Sequence, residues 1–291
     1  MENKENLETT PVAETEETKK PAKKRSPVYY ILLSVFAAVF IFSGIYVARY
    51  FVLSERVSNE YEDMDAILES IRAELNIDRD NLPPVPTTPD GKPQQNTVIL
   101  PEFKLFYEQN PDIVGWIQIP GTKVDYPIMA SRNGDQDYYL NHTFKHEESE
   151  WGAIYLRRSE SDVFKPSDNV TLYGHHMKDG SMFEDINNYY WSESYWNSHR
   201  YVYFDTLYER HTYEVFAVFV TSGTYGLGFN YNNYTNFADG DHFNQFVNKV
   251  KELSRWDYGI TPTYGDKLLC LSTCEYTTQN GRLVVVARRI S

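Results

Sequence analysis

The sequence has few cysteines, a shortage of basic residues and only one long apolar run. Its 291 residues include two cysteines, and 28 lysines and arginines stand against 41 aspartates and glutamates, which gives a formal net charge of −13. A surface that binds nucleic acid needs an excess of basic residues, so this balance argues against a nucleic-acid-binding protein. The seven histidines do not form a cluster at metal-ligand spacing. We therefore expect no metal and no cofactor.

The single apolar run follows a polar N-terminal region. Residues 1–27 combine an acidic stretch with a basic cluster and predict a disordered cytoplasmic tail. Residues 28–48 carry no charge, and this run is long enough to cross a hydrocarbon core of about 30 Å. A cleaved signal peptide would have a shorter apolar region and a small-residue exit site. The basic cluster before the run predicts a single-pass anchor in the cell membrane, with the remaining chain extracellular.

Beyond the anchor the sequence divides into a helical segment, a linker and a β-rich domain. Residues 49–81 carry apolar positions at heptad-like spacing from Val57 onward, which predicts an amphipathic helical stalk or a helix packed on the downstream domain. Coiled-coil self-association is the alternative. Residues 82–97 form a proline-rich linker. Residues 98–291 contain about seven strand-like runs and a longer helix with Asp241 as its N-cap, which predicts a β-barrel or sandwich.

The two cysteines are four residues apart, at positions 270 and 274. In an extended strand their Cα atoms would lie roughly 13 Å apart at about 3.3 Å per residue. A disulfide requires Cα atoms less than about 7 Å apart. We therefore expect two free thiols, and catalysis is the simplest reason for a free thiol in an oxidising compartment.

The sequence around Cys274 predicts nucleophilic catalysis by its thiol. Cys274 lies where a short buried strand ends, and Arg282 opens the next strand, so antiparallel pairing would bring the two side chains together. A cysteine nucleophile needs a basic or cationic partner and a donor for the oxyanion that it creates. Arg282 is the candidate donor. His175 and His176 are candidate partners, but neighbouring residues of a strand face opposite ways, so only one of them can face Cys274.

Three residues beside the thiol are candidates for binding a substrate. Ser272 shares a strand face with Cys274, because side chains alternate. Thr273 directly precedes the cysteine. Glu275 would raise the pKa of the thiol if it pointed inward, so we expect it to point outward or to contact the substrate.

These residues resemble the sortase signature, which is a Leu-x-Thr-Cys strand end with a downstream arginine and an upstream Gly-His. Here the signature is formed by residues 271–274, Arg282 and Gly174-His175. The resemblance covers about residues 98–291 and is closest to the class B sortases. The sequence departs from the family at Cys270, where sortases usually carry threonine.

The resemblance implies a closed β-barrel with a few helices, including a longer helix before the last two strands. It implies a cysteine transpeptidase on the surface of a Gram-positive bacterium, with His175, Cys274 and Arg282 as catalytic residues. Its substrate would be a surface protein whose C-terminal sorting signal is cleaved after threonine through a thioacyl-enzyme. The acceptor would be an amino group of the peptidoglycan precursor, lipid II. A pilin-polymerising sortase, a hydrolytic cysteine peptidase and a non-catalytic adhesin are the alternatives.

Overall fold

The computed structural model describes residues 26–78, 98–161, 167–224, 226–277 and 280–291. The expected tail at residues 1–27, except for its last two residues, and the expected linker at residues 82–97 lie outside the described residues. The chain divides after Phe51 into an N-terminal unit and a larger compact unit that extends to Ser291.

The N-terminal unit contains the first half of a long helix, α1 (Pro27–Glu74). Its large apolar side chains are exposed, as at Phe40 and Phe42. Within the described residues, α1 is the one helix long and apolar enough to cross a membrane. Its length and composition agree with the span expected at residues 28–48.

Eight strands of the larger unit close into a barrel. They are β1 (Ile113–Gln118), β2 (Asp125–Met129), β3 (Ile154–Tyr155), β4 (Asn169–Tyr173), β5 (Tyr201–Thr206), β6 (Thr212–Ser222), β7 (Leu268–Glu275) and β8 (Gly281–Arg289). Their order around the barrel is β1-β2-β3-β4-β7-β8-β6-β5, and β5 pairs back with β1. The strand pattern predicted a barrel or a sandwich, and the closed β-barrel that the family resemblance implied is confirmed.

Helices connect several of the strands. Three are short: α2 (Lys104–Gln109), α3 (Asn188–Trp191) and α4 (Glu193–Ser198). The longer α5 (Gly240–Leu253) precedes the last two strands, as predicted, and packs its phenylalanines against β6 and β7. The prediction of Asp241 as its N-cap is wrong. Asp239 has the extended backbone of a cap and accepts a hydrogen bond from the His242 amide at 2.8 Å, which leaves Asp241 in the first turn.

The second half of α1 belongs to the larger unit and packs against it. Val57, Tyr61, Met64 and Leu68 are buried, at the heptad-like spacing seen in the sequence. The Tyr61 hydroxyl donates a hydrogen bond to the carbonyl of Gly152 at 2.9 Å. Of the interpretations of this spacing, the structure therefore shows a helix packed on the downstream domain.

A buried ion pair fastens the end of α1 to β5. Nη2 of Arg72 lies 3.0 Å from Oδ2 of Asp205, and the two side chains are 6% and 0% exposed. Arg72 also contacts the exposed carboxylate of Glu69 at 2.8 Å. Both partners of the inner pair are removed from water, so loss of either one takes away the opposite charge that balances its buried partner.

The carboxyl groups of Asp65 on α1 and Asp125 on β2 form a second contact between this helix and the barrel. Asp125 of β2 accepts hydrogen bonds from the side chains of Trp116 and Gln118. Burial raises the pKa of Asp125 to about 6, and the charge of Asp65 on α1 adds to the effect. Burial also raises the pKa of Asp65, and its neighbour Glu69 raises it further. At neutral pH this contact therefore opposes the docking of α1.

We expect Asp65→Asn to raise the free energy of unfolding at about pH 7.5, and the gain to shrink as the pH falls towards about 4. A carboxyl group whose pKa is raised by folding stabilises the fold below its unfolded pKa, and this contribution is lost as the pH rises through the folded pKa. The asparagine amide can donate a hydrogen bond to Asp125 at every pH. The Asp65 carboxyl can donate one only at low pH, where it is protonated. Urea unfolding across the pH range measures the difference. Asp63→Asn, at an exposed position of the same helix, is the control, and an equal gain at every pH would contradict the expectation.

Candidate active site

Three neighbouring strands bring the predicted catalytic residues to one end of the barrel. β4 and β7 are parallel, with Tyr173 opposite Ser272, so the chain that leaves β4 continues beside the end of β7. β8 pairs antiparallel with β7 and places Arg282 directly opposite Cys274. Directly opposite side chains share a face, with Cβ atoms about 4.5–5.5 Å apart. Cys274 therefore lies on the central strand, with Arg282 on one side and His175 on the other.

These residues line a cavity of about 360 Å³. His175, Cys274 and Arg282 contribute to its wall together with Ser272 and Thr273. None of the described residues that line it is acidic, although the chain carries a net charge of −13. The described lining thus brings two guanidinium groups, of Arg157 and Arg282, and no carboxylate to the cavity that Cys274 borders.

Glu275, the third predicted substrate-binding residue, is not among the described residues that line the cavity. The residue is only 7% exposed, and its Oε1 accepts a hydrogen bond from the amide of Thr277 at 2.9 Å. Since side chains alternate along a strand, Glu275 occupies the opposite face of β7 from Cys274. A contact between Glu275 and a substrate finds no support in this arrangement.

The imidazole of His175 is held in place through its Nε2 nitrogen. Nε2 of His175 lies 2.7 Å from the carbonyl oxygen of Leu140. A carbonyl only accepts hydrogen bonds, so Nε2 carries a hydrogen and Nδ1 is left to exchange a proton. The neighbouring Gly174 is required by its surroundings, because an added Cβ would lie 2.5 Å from Ile154 and 2.7 Å from Phe183.

Arg282 is available to bind an oxyanion. Its Nη1 donates a hydrogen bond to the carbonyl of Gly281 at 2.9 Å. No carboxylate among the described residues forms an ion pair with it, whereas Arg288, at the other end of β8, pairs with Glu214 at 2.9 Å. A guanidinium carries five N–H groups, so Arg282 retains donors for a ligand in the cavity.

The two cysteines are both free, as predicted, and their surroundings differ. Cys270 is fully buried in the core between α5 and the sheet, and burial raises the pKa of its thiol to about 12. Its Sγ lies 3.5 Å from Oδ1 of Asn169. Cys274 is partly exposed and borders the cavity. A thiol that remains protonated and excluded from solvent is inert, so Cys274 is the candidate nucleophile.

The sequence did not predict the part of the cavity lining that includes Arg157 and Tyr231. The hydroxyls of Tyr231 and Ser272 lie 2.6 Å apart, and burial raises the pKa of Tyr231 to about 12. Arg157 is held by Asp137 at 2.7 Å and by Glu160 at 3.0 Å. The run Asn-Tyr-Asn-Asn at residues 230–233 also lines the cavity. This run of side-chain amides was the sequence signal that could have indicated a part of the cavity lining.

The geometry provides the parts of an acyl-transfer site: a partly exposed thiol, an imidazole whose Nδ1 is left to exchange a proton, and a guanidinium with donors to spare. Such a site can attack a carbonyl carbon, stabilise the oxyanion and protonate a leaving group.

Comparison with known proteins agrees with this chemistry. A family model described as Sortase domain matches residues 117–290. Sortase B of Listeria monocytogenes is 28% identical over 262 residues, which cover 89% of this chain and 96% of that protein. Sortase B of Staphylococcus aureus is 31% identical over 196 residues, which cover 66% of this chain and 76% of that protein.

Solved structures show the same relationship. A complex of Staphylococcus aureus sortase B with a substrate superimposes with a TM-score of 0.67 at 26% identity, over 82% of this chain and 99% of that one. Sortase B from B. anthracis in complex with AAEK1 superimposes with a TM-score of 0.64 at 31% identity, over 83% of this chain and 99% of that one. The chain therefore belongs to the sortases, a family of cysteine transpeptidases, and within them to class B.

Proposed function

We propose that this sortase cleaves the C-terminal sorting signal of a surface protein after its threonine and joins the protein to an amino group of the peptidoglycan precursor, lipid II. The observation that carries the proposal is the convergence of Cys274, His175 and Arg282 on one cavity whose described lining contains no acid. The Staphylococcus aureus sortase B supports it, since that relative has been solved in complex with a substrate.

The first half-reaction forms the thioacyl-enzyme. The Cys274 thiolate attacks the carbonyl carbon of the substrate threonine, and Arg282 donates hydrogen bonds to the resulting oxyanion. The C–N bond then breaks, and the leaving amine takes a proton from Nδ1 of His175.

The second half-reaction transfers the acyl group. The acceptor amine attacks the thioester carbonyl and gives a proton to His175, which regenerates the imidazolium. The C–S bond breaks, the new amide leaves, and the thiolate of Cys274 is restored.

We further infer that residues 28–48 anchor the enzyme in the membrane of a Gram-positive cell, with residues 1–27 in the cytoplasm. The domain at residues 98–291 would then act outside the cell, beyond the helix at residues 49–81 and the linker at residues 82–97. An anchored enzyme shares one surface with a membrane-held substrate and a lipid-linked acceptor. Sharing a surface raises their effective concentrations without any added contact.

The test uses the full chain in detergent micelles, because residues 52–74 pack on the barrel. The enzyme is incubated with a panel of fluorogenic sorting peptides, with and without a lipid II analogue, and the products are identified by mass spectrometry. An amide-linked product supports the proposal. Free acid as the sole product, despite ample acceptor, would indicate a hydrolytic peptidase. Preference for a pilin lysine peptide would indicate a pilin polymerase. Absence of cleavage and of reaction with a sorting-motif electrophile would favour an adhesin.

We expect Arg282→Ala to lower kcat by about 10²–10³-fold, the usual effect of removing one oxyanion donor. Arg282→Lys will recover only part of the rate, because an ammonium lacks the planar fork of the guanidinium. Arg255→Ala is the control, since its guanidinium lies 5.5 Å from the ring centroid of Tyr190 and does not line the cavity. Equal rates for Arg282→Ala and the parent would remove Arg282 from the mechanism.

A further inference from the structure

His176 directly follows His175 in the sequence but takes no part in the proposed reaction. His176 is not among the described residues that line the cavity. Its Nδ1 lies 3.1 Å from the carbonyl oxygen of Cys274. Since that oxygen can only accept, Nδ1 carries the hydrogen and donates it. The side chain is thus bonded to the backbone of the nucleophile itself.

Tyr276, two residues after the nucleophile, reinforces this contact between His176 and the end of β7. Its hydroxyl donates a hydrogen bond to the carbonyl of His176 at 3.1 Å, and the two rings lie 5.1 Å apart at an interplanar angle of 47°. Tyr276 remains 70% exposed, so the contact buries little of its surface. Hydrogen bonds therefore join residues 174–176 to residues 272–276, and each segment supplies a side-chain donor to a backbone carbonyl of the other.

The backbone ladder alone does not fix His175 against Cys274. Strand β4 ends at Tyr173, and the next backbone bond runs from the Gly174 amide to the Ser272 carbonyl at 3.1 Å. Beyond that point side chains continue the register: Thr273 Oγ1 donates to the Gly174 carbonyl at 2.8 Å, and His176 donates to Cys274. Of these two side-chain hydrogen bonds, the one from His176 ends on the backbone carbonyl of Cys274.

The loop that carries His176 is itself held in place. His176 forms an isolated β-bridge with Met182. Between them, the Asp179 carboxylate accepts hydrogen bonds from Ser54 Oγ, Trp151 Nε1 and Ser181 Oγ, each at 2.6 Å. A donor mounted on a loop fixed in this way is preorganised and does not have to be ordered during the reaction.

We propose that His176 is a positioning residue, which holds the Cys274 carbonyl through Nδ1 and so keeps the Cys274 thiol aligned with His175. The inference rests on the proposed function, because it assigns His176 a part in the same transfer. Cys274 itself is paired with Arg282 of β8, so without this bond it is the segment after β4 that can shift and change the position of the His175 imidazole relative to Sγ. A displacement of about 1 Å in a site of this kind costs on the order of 10²-fold in rate.

The test compares His176→Phe with His176→Asn in the full chain. Phenylalanine keeps a ring and removes the donor, whereas Nδ2 of asparagine occupies the place of the histidine Nδ1. We expect His176→Phe to lower kcat by about 10- to 100-fold with little change in KM. It will also shift the pH profile of Cys274 alkylation by iodoacetamide to higher pH, because the thiolate is less well paired with His175. His176→Asn will restore most of kcat and the parental profile.

His199 provides a matched control. Its Nδ1 also contacts a backbone carbonyl, that of Tyr195 at 2.9 Å, and its ring stacks on the same tyrosine, yet it does not line the cavity. His199→Phe should leave kcat and the alkylation profile unchanged. The proposal is overturned if His176→Phe behaves like the parent, or if asparagine rescues no better than phenylalanine. It is also overturned if kcat falls only in proportion to the folded fraction.

Alkylation needs no sorting peptide and separates this inference from the proposed function. If the parent neither cleaves a sorting peptide nor reacts with a sorting-motif electrophile, the transfer reaction is refuted, and the alkylation profiles of the two variants still decide whether His176 aligns the thiol. Cys270 does not confuse the measurement, because its thiol is buried and its pKa is raised to about 12.

Discussion

Cys274→Ala will abolish the thioacyl-enzyme and lower the transfer rate by at least about 10⁴-fold, since loss of a nucleophile removes the whole covalent pathway. Cys270→Thr, by contrast, will leave kcat unchanged within about twofold, because a fully buried thiol does not take part in a reaction of this kind. Threonine has a similar volume, and its hydroxyl can donate to Asn169 as the thiol does.

The measurement is the amide product per unit time, together with the mass of the enzyme trapped during turnover. In the parent and in Cys270→Thr the trapped enzyme will carry the acyl mass, and in Cys274→Ala it will not. Acyl mass on the alanine variant, or its loss in the threonine variant, would move the nucleophile away from Cys274.

Arg72→Ala will lower the free energy of unfolding by about 3–5 kcal/mol, the usual cost of removing one partner of a buried ion pair. The variant removes the Arg72 guanidinium from the fully buried carboxylate of Asp205. Arg56→Ala is the matched control on the same helix. Its ion pair with Glu147 has side chains 63% and 44% exposed, and we expect a change below about 1 kcal/mol.

Urea unfolding followed by tryptophan fluorescence measures both variants. The double variant Arg72→Met with Asp205→Asn should regain part of the loss, because it also removes the buried negative charge that Arg72 balances. Similar unfolding midpoints for Arg72→Ala and Arg56→Ala would show that the buried pair does not fasten α1. An enzyme shortened to residues 98–291 lacks Arg72 and should share the defect.

The part of the site that sequence could predict lies within one hairpin. Cys274 and Arg282 are eight residues apart, and their opposition follows from an apolar run, a turn and a second run. The partner histidine lies just beyond β4, which pairs in parallel with β7 from almost a hundred residues away. No local pattern specifies such a pairing, so the residues alone left His175 and His176 equivalent, and the family resemblance selected His175.

Other differences between expectation and structure also come from tertiary packing. The sequence led to the expectation that Glu275 points outward or contacts the substrate, but it could not show that this residue would be buried. The stripe from Val57 to Leu68 predicted a helix with one apolar face, while its partner became visible only in the fold. The choice between Asp239 and Asp241 as the cap of α5 depended on backbone angles that two nearby aspartates do not reveal.

The extended form of β7 has a consequence for oxidative damage. Residues 270 and 274 lie on one strand, whose rise of about 3.3 Å per residue keeps their Cα atoms roughly 13 Å apart. If an oxidant converts Cys274 to a sulfenic acid, Cys270 cannot reach it to form a disulfide. Neither of the two cysteines can therefore act as a resolving thiol for the other, and recovery of an oxidised enzyme depends on a reductant supplied by another molecule.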